Sequence, residues 1–524
     1  VRMCKDYQDA AMSTPNKIPI IYGIDAVHGH NTVYGAVVFP HNIGLGAAND
    51  PALMSKIASV TASEMIATGV NWDFGPCVAV ARDIRWGRTY ESFGEDPNLV
   101  SSVSVPFIQT LQEQFGITAT AKHFLADGGT KWGTGYNNVS IDQGNAVMSE
   151  EELDKIHLPV YEAAVKAGVK TVMVSFSSWN GIKNHENKHL IQEVLKDKLG
   201  FKGFVISDYE AIHQLSGSNL DKQLVASVNA GVDMFMEPRH WRECIDILKG
   251  AVKKGDIKEV RINDAVSRIL KVKLETGLFE NPTGEKKLAA SNLGEEKNKE
   301  IARNAVKESL VLLKNDKNIL PLRKNARILV FGPAADNVGI QCGGWTKTWQ
   351  GGEDKGGSRW MAGSTILDGF KKIAGENGGT IVTDIKTAGK VDAAIVVIGE
   401  KPYAEYMGDD KNLDLYSGLA LQGNREAINK AKALGVPVVT VMVSGRPRIV
   451  TDEIGNWSAF VEAWLPGTEG AAVADVLYGN SDFRGKLPVT WPKTAKQIPI
   501  HSGDGGNQAP LFPQGFGLTT QAAN

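Results

Sequence analysis

A chain of 524 residues exceeds what one hydrophobic core organises. A prior of about 150 residues per domain allows two to four domains, with a large barrel counting as one, and two large domains fit best. With 57 basic against 59 acidic residues, a net charge of −2 and no long run of either sign, nothing points to nucleic acid or an anionic membrane, which leaves a small or neutral molecule as the expected partner. No stretch approaches about 18 consecutive apolar residues, so no membrane span is expected. Cys4, Cys77, Cys244 and Cys342 are widely spaced without metal-like pairing and are read as free thiols rather than a disulfide framework or zinc site.

In chain order, apolar runs of strand length alternate with helical patterns, and each run ends in polar or small residues. Residues 18–22 lead to Asp25 and His28, 70–74 to the Arg82 to Arg88 loop, and 117–121 to Lys122-His123. Residues 169–174 then lead to Ser177 and Trp179, 204–206 to Asp208, and 232–235 to Glu237. Helices with readable caps lie between them, such as the one opened by Asp50-Pro51 and closed by Gly69, or the Ser149 and Glu152 capping box. Polar groups at the C-terminal ends of successive strands are the arrangement of a (β/α)8 barrel. Six such strands precede the helices near 242–254 and 260–276, so the barrel is expected to lack its N-terminal strand.

Asn281-Pro282-Thr283-Gly284-Glu285-Lys286-Lys287 breaks the pattern with turn formers and charge. The expected division is a barrel over 1–280, a linker over 281–300 and a second α/β domain over 301–524. The second domain has continuous apolar strands at 328–331, 393–398, 438–443 and 459–463, which predicts a parallel sheet covered on both faces, with a helix over 422–433. The Gly- and Trp-rich run from Cys342 to Gly352 is too flexible and exposed in composition for a core element and is expected to be a functional loop.

The chemistry is sought among carboxylates. Asp208 stands where the short strand Gly203-Phe204-Val205-Ile206-Ser207 runs out into an acid. A buried parallel strand has no structural need for one there, whereas barrel and doubly wound enzymes collect their chemistry at that end. Hydrolysis of a glycosidic bond needs two carboxyl groups, one at the anomeric carbon and one to protonate the leaving oxygen. Asp208 suits the first role. For the second, the segment after strand 393–398 offers Glu400, Glu405, Asp409 and Asp410, and spacing alone does not choose among them.

Several strings resemble glycoside hydrolase family 3, closest to its β-glucan exohydrolase and β-glucosidase branch. They are Tyr22-Gly23-Ile24-Asp25-Ala26-Val27-His28-Gly29, Arg85-Trp86-Gly87-Arg88, Ala121-Lys122-His123-Phe124, Ser177-Ser178-Trp179-Asn180-Gly181 and Ile206-Ser207-Asp208. The similarity runs on through Cys342-Gly343-Gly344-Trp345, Gly399-Glu400, Ser444-Gly445-Arg446-Pro447 and Ala463-Trp464-Leu465-Pro466-Gly467. The resemblance implies a (β/α)8 barrel followed by an (α/β)6 sandwich, and a retaining, exo-acting β-glucosidase or β-glucan exohydrolase that needs no cofactor and no metal. It implies Asp208 as nucleophile and Glu405 as acid/base. Asp25, Arg88, Lys122 and His123 are then holders of the sugar, the last three also keeping the nucleophile ionised by their positive field. Trp345 and Trp349 are read as plates that clamp a pyranose ring, and a periplasmic or secreted location is favoured.

The departures from the family pattern are specific. Tyr209 stands where many glucan exohydrolases have Trp, which makes that side of the leaving-sugar clamp smaller and adds a hydroxyl. The loop 130–138 lacks the acid often found there, and the Asp-Ser-His run of the family's N-acetylglucosaminidases is missing. The family's first strand and helix would precede Val1, and no charged-then-apolar leader opens the sequence. A β-xylosidase of the same family and a non-catalytic sugar-binding relic are the alternatives.

Overall fold

The computed structural model describes residues 2–282, 293–503 and 509–520. The described residues fall into two compact units. The first draws on Val1–Val27, Ala58–Val80 and Val100–Leu293, the second on His28–Ile57, Ala81–Leu99 and Gly294–Asn524. Residues 283–287 of the expected domain break lie outside the described residues. The last part of the expected linker, 296–300, is helical instead: it opens the helix Glu296–Ser309, whose Ala302, Ala305 and Val306 are fully buried.

In the first unit, parallel strands follow one another in chain order. Gly23–Ile24 pairs with Trp72–Asp73, and Trp72 bridges to Thr118. Thr120–Phe124 pairs with Thr171–Val174, which pairs with Phe204–Ile206, and Ile206 bridges to Met234. The second, fourth, fifth and sixth positions fall within the apolar runs read from the sequence, whereas the first strand lies just after the run 18–22 and the third, Thr120–Phe124, starts within 117–121 and takes in Lys122 and His123. They form a barrel-like parallel array in which each connection contains a helix, as parallel pairing requires. The helix Pro51–Thr68 is one such connection: Asp50 accepts from the N–H groups of Ala52 and Leu53, and Gly69 ends the helix at φ +87°.

Trp72 fills the interior with Met173, Phe204 and Ile206, and its indole N–H donates to the hydroxyls of Thr120 and Thr171. The helix Glu259–Glu275 reaches both ends of the array. At one end Val272 joins this core and Lys273 donates to Pro19 O; at the other Arg268 donates to the carbonyls of Phe201 and Gly203, and Arg261 to Val232 O. This one helix thus ties the approach to the first strand to the segments around the last two.

In the second unit a six-stranded sheet runs in the order Thr380–Val382, Arg327–Phe331, Ala393–Gly399, Val438–Val443, Ala459–Glu462, Val311–Asn315. The first five strands are parallel, as their continuous apolar runs predict; the last pairs antiparallel with Ala459–Glu462. The two edge strands escape the sequence reading. Thr380–Val382 is exposed to intermediate, and an edge strand needs no two-sided apolar run.

The Cys342 to Gly352 run differs from expectation in its first half. Cys342 and Thr346 are fully buried, and Trp345 packs against the core of this unit. Glycine here serves close approach rather than flexibility: a Cβ on Gly344 would lie 1.9 Å from Tyr403 O.

Candidate active site

In the barrel-like unit, the strand Phe204–Ile206 delivers Asp208 to a prepared position. The Ser207 hydroxyl donates to Asp208 O and accepts from Met236 N–H, which ties the strand end to the next one. The backbone N–H of Asp208 donates to Nε2 of buried His185 at 3.0 Å, and the N–H of Tyr209 donates to Asp208 Oδ1 at 2.6 Å. His123 Nε2 stands 3.6 Å from Asp208 Oδ2, while its Nδ1 is 2.9 Å from Asp127 Oδ2. A line Asp127, His123, Asp208 results, in which both imidazole nitrogens face carboxylates. Lys122 is buried and donates to Asp25 Oδ1 at 2.9 Å, with the Asp25 carboxylate partly open to solvent. Beneath this pair Asp73 accepts from Ala26 N–H, and burial holds its carboxyl well above the usual range in spite of Lys122. Tyr209 is half exposed.

Asp25, Asp208 and Tyr209 therefore follow strand ends, and Lys122 and His123 lie within the strand Thr120–Phe124, all in one unit. The sequence reading missed His185 and Asp127. Asp127 lies four residues beyond His123 and was legible as a spacing. His185 follows a small sheet at Ser178–Trp179 and Ile182–Lys183, and nothing in the linear sequence points it at Asp208. The fold also gathers Cys77 with His123 and Asp127, their potential ligand atoms within 4.8 Å of one another, a grouping that cysteine spacing could not show.

In the sheet unit, Arg88 is held in a two-pronged ion pair by Glu91, through Nε at 3.0 Å and Nη2 at 2.9 Å. Its Nη1 lies 3.7 Å from Glu405 Oε1. The fully buried Glu91 side chain also accepts from the Trp345 indole N–H at 3.0 Å, so one carboxylate orients a guanidinium and an aromatic plate. Trp349 is exposed, and its ring centre lies 5.8 Å from that of Tyr406, next to Glu405. Gln350 donates to Ala404 O and accepts from Ala404 N–H, fastening the glycine-rich loop to the residue before Glu405. Glu405 and Trp345 both adopt positive φ, +53° and +57°, a backbone cost that non-glycine residues accept mainly at functional sites. Gly87 makes room for this turn: a Cβ there would meet Glu405 O at 1.9 Å.

The four carboxylates that spacing left open have different surroundings. Glu400 is buried against Arg446 and Arg448, 2.7 Å from Arg448 Nη1, and accepts from Gly445 N–H. Asp410 pairs with Arg448, and Asp409 accepts from Gly87 N–H. Glu405 is the one beside Arg88. No helix among the described residues is long and apolar enough to cross a membrane.

Comparison with known proteins identifies the family of both halves of the chain. Residues 1–272 match the glycosyl hydrolase family 3 N terminal domain, and residues 310–520 match the glycosyl hydrolase family 3 C-terminal domain. A lysosomal beta glucosidase of Dictyostelium discoideum is 33% identical over 98% of this chain and 66% of its own length. A beta-xylosidase of Formosa agariphila is 33% identical over 98% of this chain and 76% of its own length. The crystal structure of an exo-1,3/1,4-beta-glucanase from a Pseudoalteromonas species superposes with a TM-score of 0.92 at 42% identity, covering 99% of this chain and 66% of that one. The chain thus spans about two thirds of the length of the first and last of these proteins. With both of its halves matched in order, the chain belongs to glycosyl hydrolase family 3.

Proposed function

We propose that the protein is a retaining, exo-acting β-glucosidase or β-glucan exohydrolase that releases glucose from the non-reducing ends of β-glucosides and β-gluco-oligosaccharides. The observation that carries the reading is Asp208, a carboxylate at a barrel strand end, fixed through its backbone by His185 and faced by His123. A nucleophile needs this immobility, because positioning supplies much of the rate of a displacement.

The reaction takes two displacements. In the first, a carboxylate oxygen of Asp208 bonds to the anomeric carbon while the bond to the leaving oxygen breaks, and Glu405 gives its proton to that oxygen. In the second, Glu405 takes a proton from water, the water oxygen bonds to the anomeric carbon, and the bond to Asp208 breaks. Two inversions return β-glucose, and no cofactor or metal enters the balance. Asp25 accepts from sugar hydroxyls while Lys122 and Arg88 donate to them, and Trp345, Trp349 and Tyr209 offer ring faces to the pyranose. Domain limits near 280 and 300 and a periplasmic or secreted location belong to the same proposal.

A mechanism-based 2-deoxy-2-fluoro glucoside should label one peptide, the one containing Asp208, and Asp208→Ala should abolish turnover of every β-glucoside with the fold intact. A label on Asp233 or Glu237, or initial release of α-glucose by NMR, would reject the assignment. Faster turnover of nitrophenyl β-xyloside than β-glucoside would make the protein a β-xylosidase instead. Turnover of neither would leave a sugar-binding relic.

A further inference from the structure

Cys77, His123 and Asp127 meet on two neighbouring segments of the barrel-like unit. Cys77 runs beside the strand Thr120–Phe124, bridged in parallel to Lys122, with Val78 N–H donating to Lys122 O at 2.8 Å. His123 lies within that strand, and Asp127 opens the short turn after it, where its Oδ1 accepts from Gly128 N–H at 3.0 Å. One sulfur, one imidazole nitrogen and one carboxylate oxygen thus lie within 4.8 Å of one another, and all three residues are buried. A fourth group belongs to the same place. Tyr161, on the helix Pro159–Lys166, packs its ring edge-on against Phe124 at 5.0 Å between centres. Its hydroxyl is buried and has no hydrogen-bond partner among the described residues. Burial, then the charges of Asp127 and Cys77, hold its pKa well above the usual tyrosine range, which puts the hydroxyl in the field of the trio. A buried hydroxyl left unpaired is costly, and neither Tyr161 nor Cys77 has a part in the displacement chemistry.

We propose that Cys77, His123 and Asp127 form an inhibitory site for a borderline-soft divalent cation of the Zn²⁺ class, with the Tyr161 hydroxyl meeting the metal or a water bound to it. The donor set names the ion, since thiolate and imidazole suit Zn²⁺ whereas Mg²⁺ and Ca²⁺ take oxygen. Bonds of about 2.3 Å to sulfur and ~2.0–2.2 Å to nitrogen and oxygen gather such a trio with shifts on the order of 1 Å, and three protein ligands leave a fourth tetrahedral position. On binding, the Cys77 thiol loses its proton to solvent as Sγ bonds to the metal. His123 Nδ1, 2.9 Å from Asp127 Oδ2, bonds to it as well, which fixes the ring proton on Nε2. That nitrogen is the one 3.6 Å from Asp208 Oδ2. A dication behind the His123 ring draws negative charge from the Asp208 carboxylate, so attack on the anomeric carbon slows. Binding stands on the geometry alone, and only the inhibition rests on the β-glucosidase reading.

The test titrates Zn²⁺ calorimetrically into the reduced, chelator-treated protein. X-ray absorption of the bound zinc should show a single sulfur neighbour at about 2.3 Å, a measurement that needs no variant. A zinc shell without sulfur, as binding at the exposed His189 between Glu150 and Glu193 would give, overturns the proposal. Tyr161→Phe should weaken zinc binding about tenfold, and Cys77→Ser, which removes a direct ligand, by more than the ~10–100-fold that outer partners carry. Affinity unchanged in Cys77→Ser overturns the proposal. On nitrophenyl β-glucoside, Zn²⁺ should lower kcat severalfold and a chelator should restore it, while Cys77→Ser should turn over as the unaltered protein does without zinc and resist its addition. Sulfur-bound zinc with turnover unchanged, or inhibition undiminished in Cys77→Ser, would also overturn the inhibitory site. One-sulfur zinc binding in a protein that hydrolyses no β-glucoside under any condition would uphold the metal site and reject the glucosidase reading instead.

Discussion

His185 accepts the backbone N–H of Asp208 on Nε2 at 3.0 Å, so the ring can serve only while that nitrogen carries no proton. Burial, aided by the charge of Lys183, pushes the His185 pKa down to about 3, against a backbone hydrogen bond to Ser175 that raises it. Burial likewise lowers His41 to about 3 and His30 to about 4. A base whose pKa is depressed in the fold stabilises the protein above its unfolded value of about 6.5, and that stability drains away as the pH falls toward the folded value.

The thermal midpoint should therefore drop between about pH 6.5 and 4.5, at up to ~1.4 kcal/mol per pH unit for each such histidine. His185→Gln keeps an acceptor for the Asp208 N–H and removes the titration, so its midpoint should fall less steeply over the same interval. His185→Leu leaves that N–H buried and unpaired, at a cost of about 1–3 kcal/mol, and should lower kcat with little change in KM. Parallel melting curves for His185→Gln and the unaltered protein across this interval would show that His185 is not the group concerned.

Glu405 and Glu400 should fail in different ways. Glu405→Ala should cost about 10²–10⁴-fold on oligosaccharides, the usual worth of a positioned proton donor. On an aryl glucoside with a good leaving group its first step should survive, the glycosyl-enzyme should accumulate, and azide should rescue turnover as β-glucosyl azide. Glu400→Ala should instead unfold the sheet unit more easily, by about 3–5 kcal/mol, because it strands Arg446 and Arg448 without their shared carboxylate. Azide rescue in Glu400→Ala, with Glu405→Ala unchanged, would move the acid/base five residues upstream.

Glu91 touches both Arg88 and Trp345, which under the proposed function makes it a positioning residue. Glu91→Gln keeps the shape and one acceptor but loses the charge opposite Arg88. KM for glucosides should rise severalfold and kcat should fall, with a shift in the alkaline limb of the pH profile, the side set by the proton donor, that a purely structural role would not produce. Arg88→Lys should not mimic the native pair, since an ammonium cannot span both oxygens of Glu91. Kinetics of Glu91→Gln that match the unaltered protein across pH would remove Glu91 from this role.

Much was legible in the linear chain because strand ends announce themselves. A buried parallel strand is apolar throughout, so the carboxylate of Asp208 after Phe204–Ile206 and the Lys122-His123 pair within Thr120–Phe124 stand out against their background. Parallel pairing within both units was legible for the same reason, and the motif strings carried the family. The antiparallel edge strand Val311–Asn315 was not, because an edge strand looks the same whatever it packs against; the helix Glu259–Glu275 was legible near 260–276, but not the strands that it packs against.

What only the tertiary structure decided is which groups stand beside which. Glu400, Glu405, Asp409 and Asp410 are equivalent as letters in one loop. Folding buries Glu400 against two arginines and sets Glu405 beside Arg88, a difference in surroundings made by residues more than forty positions away in one case and more than three hundred in the other. His185, Asp127 and Glu91 became visible in the same way, since a hydrogen bond is a relation of a few ångströms and sequence separation holds no record of it.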